Sequence, residues 1–509
     1  MHDYLLAHDI GTSGDKAVLF DATNLQIVGS ITSSYETYYV GDGGVEHDPD
    51  NWWKAVCSST KKLLENTGIQ ASAINGVSFS AIMNSCLPID SNGSPLHRAL
   101  IWSDQRGKGS LGELFSFASE DTFYRKTGHR INGTYAVAKM LWFKKNRPEL
   151  FQKTAFFVQA KDYIVYKLTG SIATDYSDAS HLGVIDRVSS SYWKELLDYI
   201  KIPVSMFPEL HVSTDIVGRV TKQASFETGL LEGTPVIIGG GDGCCATAGA
   251  GVFKPGLAYN SLGTSSWNGE LTKTMNLSKD KVTFSFIYLD GKQTNTVGTM
   301  QSAGHSVEWV LNTLYPDEYK RNKSELFQRM NSAILKNLSV PKKNKIIYLP
   351  YLLGERSPWW NSNARGCFIG LNASTNGMDL VMACLEGVAF NLKIILDDME
   401  KTNGLIENMR IIGGGARNEA WLSIIASVFD KTLSIPRYAS EATSLGAILC
   451  AGIGSDVFKG FSTIEIINPT ERIIVPNPIL VDHYKKLYSV FKKSYSSLTG
   501  VFEELRSDL

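Results

Sequence analysis

Cysteine is scarce in this sequence and shows no pairing pattern. The 509 residues include seven cysteines, none of them in a Cys-x-x-Cys arrangement. Scattered cysteines of odd number are typical of free thiols in a reducing compartment, so the sequence predicts a cytoplasmic protein without a disulfide framework. The nine histidines are not spaced as metal ligands either. We therefore expect no structural zinc site.

The chain also lacks an excess of charge and a long apolar run. Lysine and arginine number 50 against 51 for aspartate and glutamate, which leaves a net charge of −1. Without a basic block, nucleic acid is not predicted as a partner. No apolar run approaches the ~20 residues that cross a bilayer, so no membrane partner is predicted. The polar start at Asp3, His8 and Asp9 does not fit a secretory signal.

Two common nucleotide-binding patterns are missing as well. Neither glycine triplet, at residues 239–241 and 413–415, fits the Gly-x-Gly-x-x-Gly pattern of dinucleotide-binding folds. The segment from Gly11 to Lys16 is too short for a P-loop. A nucleotide site in this protein therefore needs another architecture.

What the sequence does contain is an alternation of strand and helix patterns, with glycine at the strand ends. In a chain of this length, the alternation predicts an α/β fold with two large domains, which we assign to residues 1–250 and 251–509. One helix is predicted to start after Asp48 as its N-cap, and the last to cover residues 481–505. Residues 318–344 are rich in Lys and Asn and are predicted to form a solvated helix and loop at the surface.

The most informative stretch is Ile-Ile-Gly-Gly-Gly-Asp-Gly at residues 237–243. A buried strand that runs into a glycine-rich turn brings backbone N–H groups close to a ligand. A carboxylate at such a turn, here Asp242, can accept a proton from a substrate hydroxyl. The alternative is an ordinary strand-to-helix turn in which Asp242 caps the helix.

Two other stretches resemble each other. Residues 9–13 read Asp-Ile-Gly-Thr-Ser and residues 260–265 read Asn-Ser-Leu-Gly-Thr-Ser, and each follows an apolar run. Each pattern predicts a β-hairpin whose tip offers N–H groups and hydroxyls to phosphate oxygens. Either hairpin alone is compatible with an ordinary β-turn. The repeat, with the Asp242 turn between its copies, predicts two similar domains around a phosphate-handling cleft.

These motifs resemble those of the FGGY family of carbohydrate kinases, which belongs to the superfamily of actin, Hsp70 and sugar kinases. The resemblance runs nearly end to end, and xylulokinases are the most similar group within the family. Two positions depart from the family signatures, namely Ala136, where Pro, Ser or Thr is usual, and Cys384, where a small or β-branched residue is usual. The matching segments are residues 9–13, 46–53, 102–106, 239–242, 263–265, 354–358, 366–371, 379–386 and 413–418.

The resemblance implies two ribonuclease H-like domains that flank a catalytic cleft, with the sugar bound mainly by residues 1–250 and the nucleotide by residues 251–509. It implies that ATP, with Mg²⁺, phosphorylates a sugar hydroxyl. Asp242 resembles the general base of the family and Asp9 its Mg²⁺-linked carboxylate. The residues expected to bind ATP are Gly11, Thr12, Ser13, Lys16, Gly263, Thr264, Ser265, Gly304, Gly414, Gly415 and Asn418.

The residues that bracket the proposed pocket predict a neutral five- or six-carbon ketose or polyol as acceptor, because Asn84 cannot offer an acid the positive charge that a histidine could. The resemblance to xylulokinases puts D-xylulose first, and gluconate or another sugar or polyol is the alternative. Where xylulokinases and many gluconate kinases carry Met-His, this chain has Met83-Asn84. Arg106 is the cation expected near the pocket, and Asp104 is expected to neutralise it. The residues expected to bind the sugar are Met83, Asn84, Trp102, Asp104, Arg106, Asp242 and Trp267.

Other classes of function stay open on the sequence. An ATPase of the actin or Hsp70 type would share the phosphate hairpins, but it would not need Trp102 and Trp267 around Asp242. A sensor that had lost catalysis would not need both Asp9 and Asp242. The sequence leaves open whether the protein is a monomer or a homodimer.

Overall fold

The computed structural model describes residues 3–338 and 345–505. Two seven-stranded sheets dominate this part of the chain, and we number their strands β1 to β14. The strands of the first sheet are β1 (Tyr4–Ile10), β2 (Gly14–Asp21), β3 (Gln26–Ser34), β4 (Ile74–Ala81), β5 (Ile216–Arg219), β6 (Pro235–Ile237) and β7 (Gly240–Gly241). The strands of the second sheet are β8 (Ala258–Leu262), β9 (Ser266–Thr272), β10 (Phe284–Ile287), β11 (Thr294–Met300), β12 (Asn408–Ile412), β13 (Thr432–Pro436) and β14 (Thr470–Ile474).

The two sheets repeat one topology. The first has the order β3-β2-β1-β4-β6-β5, with β7 also paired to β4, and the second has the order β10-β11-β9-β8-β12-β13-β14. Three antiparallel strands, β1–β3 in one sheet and β8, β9 and β11 in the other, are followed by two strands parallel to the first of the three. This is the ribonuclease H-like pattern, so the predicted α/β fold with two such units is confirmed.

Helices and short strands surround the two sheets. The α-helices are α1 (Pro49–Thr67), α2 (Leu111–Phe117), α3 (Glu120–Thr127), α4 (Ala136–Asn146), α5 (Pro148–Lys153), α6 (Ala160–Thr169), α7 (Tyr176–Ala179), α8 (Lys194–Tyr199), α9 (Lys222–Thr228), α10 (Asp242–Gly249), α11 (Gly304–Leu314), α12 (Pro316–Asn337), α13 (Gly377–Asn403), α14 (Glu419–Phe429), α15 (Ala442–Gly454), α16 (Ile464–Ile467) and α17 (Pro478–Glu504). The short strands are Tyr38–Val40, Gly44–His47, Leu87–Ile89, Ala99–Leu100, Phe156–Val158, Ala173–Asp175, Ile185–Asp186, Ser191–Tyr192, Glu209–His211, Ile347–Leu349 and Cys367–Ile369.

Local signals in the sequence place several of these elements. The Asp48 side chain accepts a hydrogen bond of 3.0 Å from the N–H of Asp50, so it caps α1 as predicted. The last helix, α17, covers the predicted range to within a few residues. The charged segment predicted as a surface helix forms α12, which is kinked at Asn322. The rest of that prediction, residues 339–344, lies outside the described residues.

Helices α10 and α15 pack against each other between the two sheets. Although α15 belongs to the second half of the chain, it contacts β1 and β4 of the first sheet. Buried residues of both sheets join these helices in one apolar cluster, among them Ala7, Cys245, Tyr259 and Leu449. The two units therefore share a core, which allows them to hold residues from both sheets around one site.

Two expectations from composition can be compared with this part of the chain. All seven cysteines are free thiols, as predicted. None of the helices among residues 3–338 and 345–505 combines the length and the apolar character that crossing a membrane requires.

Candidate active site

A cavity of about 290 Å³ lies where the tips of the two hairpins meet the end of β7. Both halves of the chain contribute to its walls. The residues of the predicted site that line it are Thr12, Met83, Asn84, Trp102, Asp242, Ser265 and Trp267.

Asp242 is the first residue of α10 and is partly exposed to this cavity. Gly241 takes the N-cap position, so Asp242 does not cap the helix, and its carboxylate accepts a hydrogen bond of 2.7 Å from the N–H of Gly243. Gly239, which enters the turn, has φ of 68°, and a Cβ atom there would lie 2.0 Å from the carbonyl oxygen of Phe79. The turn therefore requires glycine at this position because a side chain would collide with β4.

The pKa of the Asp242 carboxyl group is shifted toward neutrality. Burial, reinforced by the negative charge of Asp9, raises the pKa of Asp242 to about 7, although the Gly243 N–H opposes the shift. A base is most effective when its pKa lies near the working pH. Asp242 can therefore both hold and release a proton under neutral conditions.

Asp9 lies at the end of β1, opposite Lys16 on β2. Its carboxylate accepts a hydrogen bond of 3.0 Å from the Ser80 hydroxyl, and burial raises the pKa of Asp9 to about 6. Within the described residues there is no group of three or more side chains that could enclose a metal ion. Mg²⁺, however, is usually held by one or two carboxylates together with substrate phosphates and water, and the Asp9 carboxylate is of the type that would supply one such ligand. Asp9 itself lines neither of the two cavities described in this section.

A second cavity, of about 840 Å³, lies on the other side of the second hairpin. All of its walls come from the second half of the chain, and they include helices α11, α12 and α14. The N–H of Gly304 donates to the carbonyl oxygen of Gly263 at 2.9 Å, which holds the start of α11 against the hairpin. The predicted nucleotide residues in this cavity are Gly263, Thr264, Gly304, Gly414, Gly415 and Asn418.

The hairpin between the two cavities connects them. Thr264 lines the second cavity, whereas Ser265, the next residue, lines the first. The N–H of Gly263 donates to the carbonyl oxygen of Ser265 at 3.0 Å, which closes the predicted tight turn. The two cavities therefore adjoin at this turn.

Three predicted ATP-binding residues of the first hairpin line neither cavity, namely Gly11, Ser13 and Lys16. The Gly11 N–H donates to the carbonyl oxygen of Gly14 at 2.9 Å, so this residue forms the turn itself. The Lys16 ammonium pairs with Glu441, just before α15. Lys16 thus links the hairpin to the second half of the chain.

Asp104 and Arg106 also lie outside the lining of the first cavity, contrary to the expectation from the sequence. Asp104 is fully buried and accepts a hydrogen bond of 2.8 Å from the N–H of Val45. Arg106 donates to Asp104 at 2.6 Å and to Glu46 at 2.7 Å. The charges of Asp104 and Arg106 therefore pair within the protein. Their hydrogen bonds to Val45 and Glu46 attach the loop that carries Trp102 to the strand Gly44–His47.

Asn84 lines the cavity, but most of its polar atoms are engaged by the protein. Its side-chain oxygen accepts from the N–H of Ala136 at 2.7 Å, and its amide nitrogen donates to the carbonyl oxygen of Thr134 at 2.8 Å. The Lys139 ammonium donates to its backbone oxygen at 2.7 Å. Asn84 therefore fastens the start of α4 to the cavity and retains one N–H for a ligand.

Several cavity residues were not predicted as site residues. Arg356 belongs to the Gly-Glu-Arg-Ser-Pro motif, and its guanidinium lies 5.7 Å from the ring centre of Trp102. Burial lowers the pKa of His181 to about 3, so its imidazole is neutral. Two of these residues lie in motifs that were visible in the sequence, namely Arg356 and Gly243, the last residue of the stretch 237–243. The cavity residues that were not predicted as site residues are Ile82, Asn132, Thr134, Tyr135, His181, Gly243, Phe284, Phe286, Val297, Thr299, Arg356 and Trp360.

Some residues that line the second cavity were not predicted as site residues either. Phe327, Gln328 and Asn331 of α12 face it, although the charged composition of that segment indicated only a solvated surface. The Asn331 side chain also accepts a hydrogen bond of 2.9 Å from the N–H of Ala420 at the start of α14. The sequence offered no signal for this role, since the pattern of α12 alone does not show what packs near it.

Twin ribonuclease H-like sheets around a cleft define a protein of the superfamily that includes actin, Hsp70 and sugar kinases. Family comparison then identifies the branch: the N-terminal domain of the FGGY family of carbohydrate kinases matches residues 4–249, and the C-terminal domain matches residues 258–455. The chain therefore belongs to the FGGY family of carbohydrate kinases.

Individual relatives extend over the whole chain. A xylulose kinase from Bacillus subtilis is 29% identical over 99% of this chain and 99% of its own length. Crystal structures of a gluconate kinase and of a ligand-bound xylulose kinase, both from Lactobacillus acidophilus, each match with a TM-score of 0.91 at 24% identity. Each covers 99% of this chain and 100% of the other, so the entire fold is shared.

Proposed function

We propose that this protein transfers the terminal phosphoryl group of ATP to a hydroxyl of a small sugar, with D-xylulose as the first candidate. The observation that carries the proposal is the hairpin whose consecutive residues Thr264 and Ser265 line the two cavities. ATP in the second cavity would extend its phosphates across this turn toward the first. A sugar there would meet those phosphates beside Asp242.

The transfer itself needs a base and a positioned acceptor. Asp242 takes the proton of the sugar hydroxyl, the hydroxyl oxygen bonds to the γ-phosphorus, and the bond from that phosphorus to the bridging oxygen breaks to release ADP. Asp9 would hold Mg²⁺, which when bound neutralises phosphate charge. Trp102 and Trp267 offer apolar faces to the C–H side of a sugar.

The residues that line the two cavities suggest that the two halves of the chain bind different substrates. We assign nucleotide binding to residues 251–509, because every wall of the larger cavity comes from there. Residues 1–250 supply Asp242 and much of the sugar pocket. The free thiols support a cytoplasmic location as part of the same proposal.

A sugar acid such as gluconate is the second candidate acceptor. Arg356 lines the cavity, and a guanidinium pairs well with a carboxylate. Arg106, which the sequence had suggested as the pocket cation, is neutralised by Asp104 and Glu46 and lies outside the lining. The argument for an acid therefore rests on Arg356.

An ADP-release assay over a panel of acceptors tests the proposal. The panel is D-xylulose, L-xylulose, D-ribulose, ribitol, glycerol and gluconate, each with MgATP. We expect sugar-dependent ADP release, with the highest kcat/KM for D-xylulose. A preference for gluconate would select the second candidate, and ADP release that no acceptor stimulates would favour an ATPase of the actin or Hsp70 type instead.

A further inference from the structure

A fully buried lysine lies behind the candidate site. The Lys161 ammonium is 3.0 Å from Asp162, 3.2 Å from Asp175 and 3.9 Å from Asp178. Burial alone would lower the pKa of Lys161, but these carboxylates outweigh that effect and hold the pKa above its usual value. Removing one member of a buried charge cluster leaves another charge uncompensated, so such a cluster is costly to disrupt.

One arm of this cluster reaches the turn that carries Asp242. The carboxylate of Asp175 accepts hydrogen bonds from the Ser177 hydroxyl at 2.5 Å and from the Ser213 hydroxyl at 2.7 Å. The Ser177 hydroxyl in turn accepts the N–H of Gly241 at 3.0 Å. A chain of hydrogen bonds therefore runs from Asp175 through Ser177 to the residue immediately before Asp242.

The other set of hydrogen bonds reaches Asn84, which also lines the cavity. The carboxylate of Asp162 accepts the N–H of Gln159 at 3.0 Å. The Gln159 side-chain oxygen accepts the N–H of Asn84 at 2.7 Å. The cluster is thus joined to both the Asp242 turn and the Asn84 loop.

Close packing adds to the hydrogen bond at the turn. A Cβ atom on Gly240 would lie 2.8 Å from the Ser177 hydroxyl oxygen. It would also lie 2.3 Å from the Leu289 side chain, so the close packing of this backbone against both residues requires glycine at position 240. The backbone that precedes Asp242 is therefore both packed against the Ser177 hydroxyl and hydrogen-bonded to it.

We propose that Ser177, held by the buried Asp175–Lys161 pair, is a positioning residue that fixes the backbone before Asp242. Ser177 is not in the lining of either cavity, so it acts through the turn and not on a ligand. Phosphoryl transfer depends on the alignment of base and hydroxyl, and a displacement of about 1 Å lowers rates roughly a hundredfold. The expected effect on kcat rests on the proposed kinase function.

Ser177→Ala and Ser213→Ala form a matched pair for the test. Both remove a hydroxyl that donates to the same carboxylate oxygen of Asp175, but only the first breaks the bond to Gly241. The backbone carbonyl of Ser213 accepts the N–H of Gly239, and this bond survives in the alanine variant. Any general loss of stability at Asp175 should therefore be common to the two variants.

We expect Ser177→Ala to lower kcat about tenfold to a hundredfold, with the sugar KM changed less than about twofold. Ser213→Ala should keep kcat within about twofold of wild type. Ser177→Cys, whose sulfur is a weaker acceptor, should fall between wild type and Ser177→Ala. Equal kcat values for Ser177→Ala and Ser213→Ala would overturn the inference.

Hydrogen exchange of the peptide that covers residues 238–246 gives a readout that does not depend on kinase activity. Faster exchange in Ser177→Ala but not in Ser213→Ala is expected, because the Gly241 N–H loses its acceptor. Unchanged exchange in Ser177→Ala would also overturn the inference. If the wild-type protein phosphorylates no sugar while the exchange difference persists, the proposed function fails and the positioning of the turn stands.

Discussion

The indole N–H of Trp102 donates a hydrogen bond of 3.1 Å to the hydroxyl of Thr12. This bond joins a residue predicted to bind sugar to one predicted to bind phosphate, and both line the same cavity. The loop that carries Trp102 is fixed in turn by Arg106 and its two carboxylates. One wall of the sugar pocket is therefore tied directly to the first hairpin.

Replacing Trp102 by phenylalanine keeps an aromatic face but removes this bond. A hydrogen bond of this type contributes about 0.5–1.5 kcal/mol, so we expect the sugar KM to rise roughly twofold to tenfold. The KM for ATP should stay near wild type, because Trp102 is not part of the second cavity. A rise in the KM for ATP without a change for the sugar would contradict this assignment.

Asp242→Asn should keep the fold and abolish most of the transfer. Loss of a general base lowers rates by about 10²–10⁴, so kcat should fall within that range. Binding of MgADP, measured by calorimetry, should be retained because Asp242 does not line the second cavity. Asp198→Asn on the exposed side of α8 is the matched control and should leave kcat unchanged. Near-normal turnover of Asp242→Asn would remove Asp242 from the role of base.

The pH dependence of kcat/KM should report the titration of Asp242. Burial and Asp9 raise the pKa of this carboxyl to about 7, so its proton is retained to a higher pH than in an ordinary aspartate. Only the ionised form accepts a proton, and activity should therefore fall as the pH drops through about 7. The Asp9→Asn variant lacks the negative charge that raises the pKa of Asp242. In this variant, the fall of kcat/KM on the acid side of the pH profile should therefore occur at a lower pH. If kcat/KM falls at the same pH in Asp9→Asn as in the wild type, the two carboxylates are not electrostatically coupled.

Asn84 is expected to contribute to the stability of the fold. Its backbone has a left-handed φ of 64°, and its side chain accepts a hydrogen bond from the start of α4. Asn84→Gly keeps the backbone conformation but loses the side-chain bonds, which should lower the free energy of unfolding by about 1–3 kcal/mol. Asn84→Ala should lower it by about 1 kcal/mol more, because alanine resists a left-handed φ. Chemical denaturation of the two variants measures the difference. Equal stabilities would show that the backbone relaxes at this position.

The sequence by itself determined the local elements on which the site is built. The Gly-Thr-Ser hairpins, the turn before Asp242 and the capped start of α1 each depend on a few neighbouring residues. Glycine, threonine and aspartate have strong turn and capping preferences, so such elements can be predicted from short segments. The repeat of the hairpins also predicted two similar sheets, and the structure confirms them.

Only the tertiary structure decided which polar residues face the cavities. Asp104 and Arg106 looked like sugar ligands in the sequence, but their partners Val45 and Glu46 lie far away along the chain. Helix α12 looked like an exposed surface, yet it lines the larger cavity beside Trp421. The turn before Asp242 is likewise held by Ser177 through a bond that its own residues do not reveal. The direction of a polar side chain depends on which distant groups satisfy its hydrogen bonds, and folding alone brings those groups together.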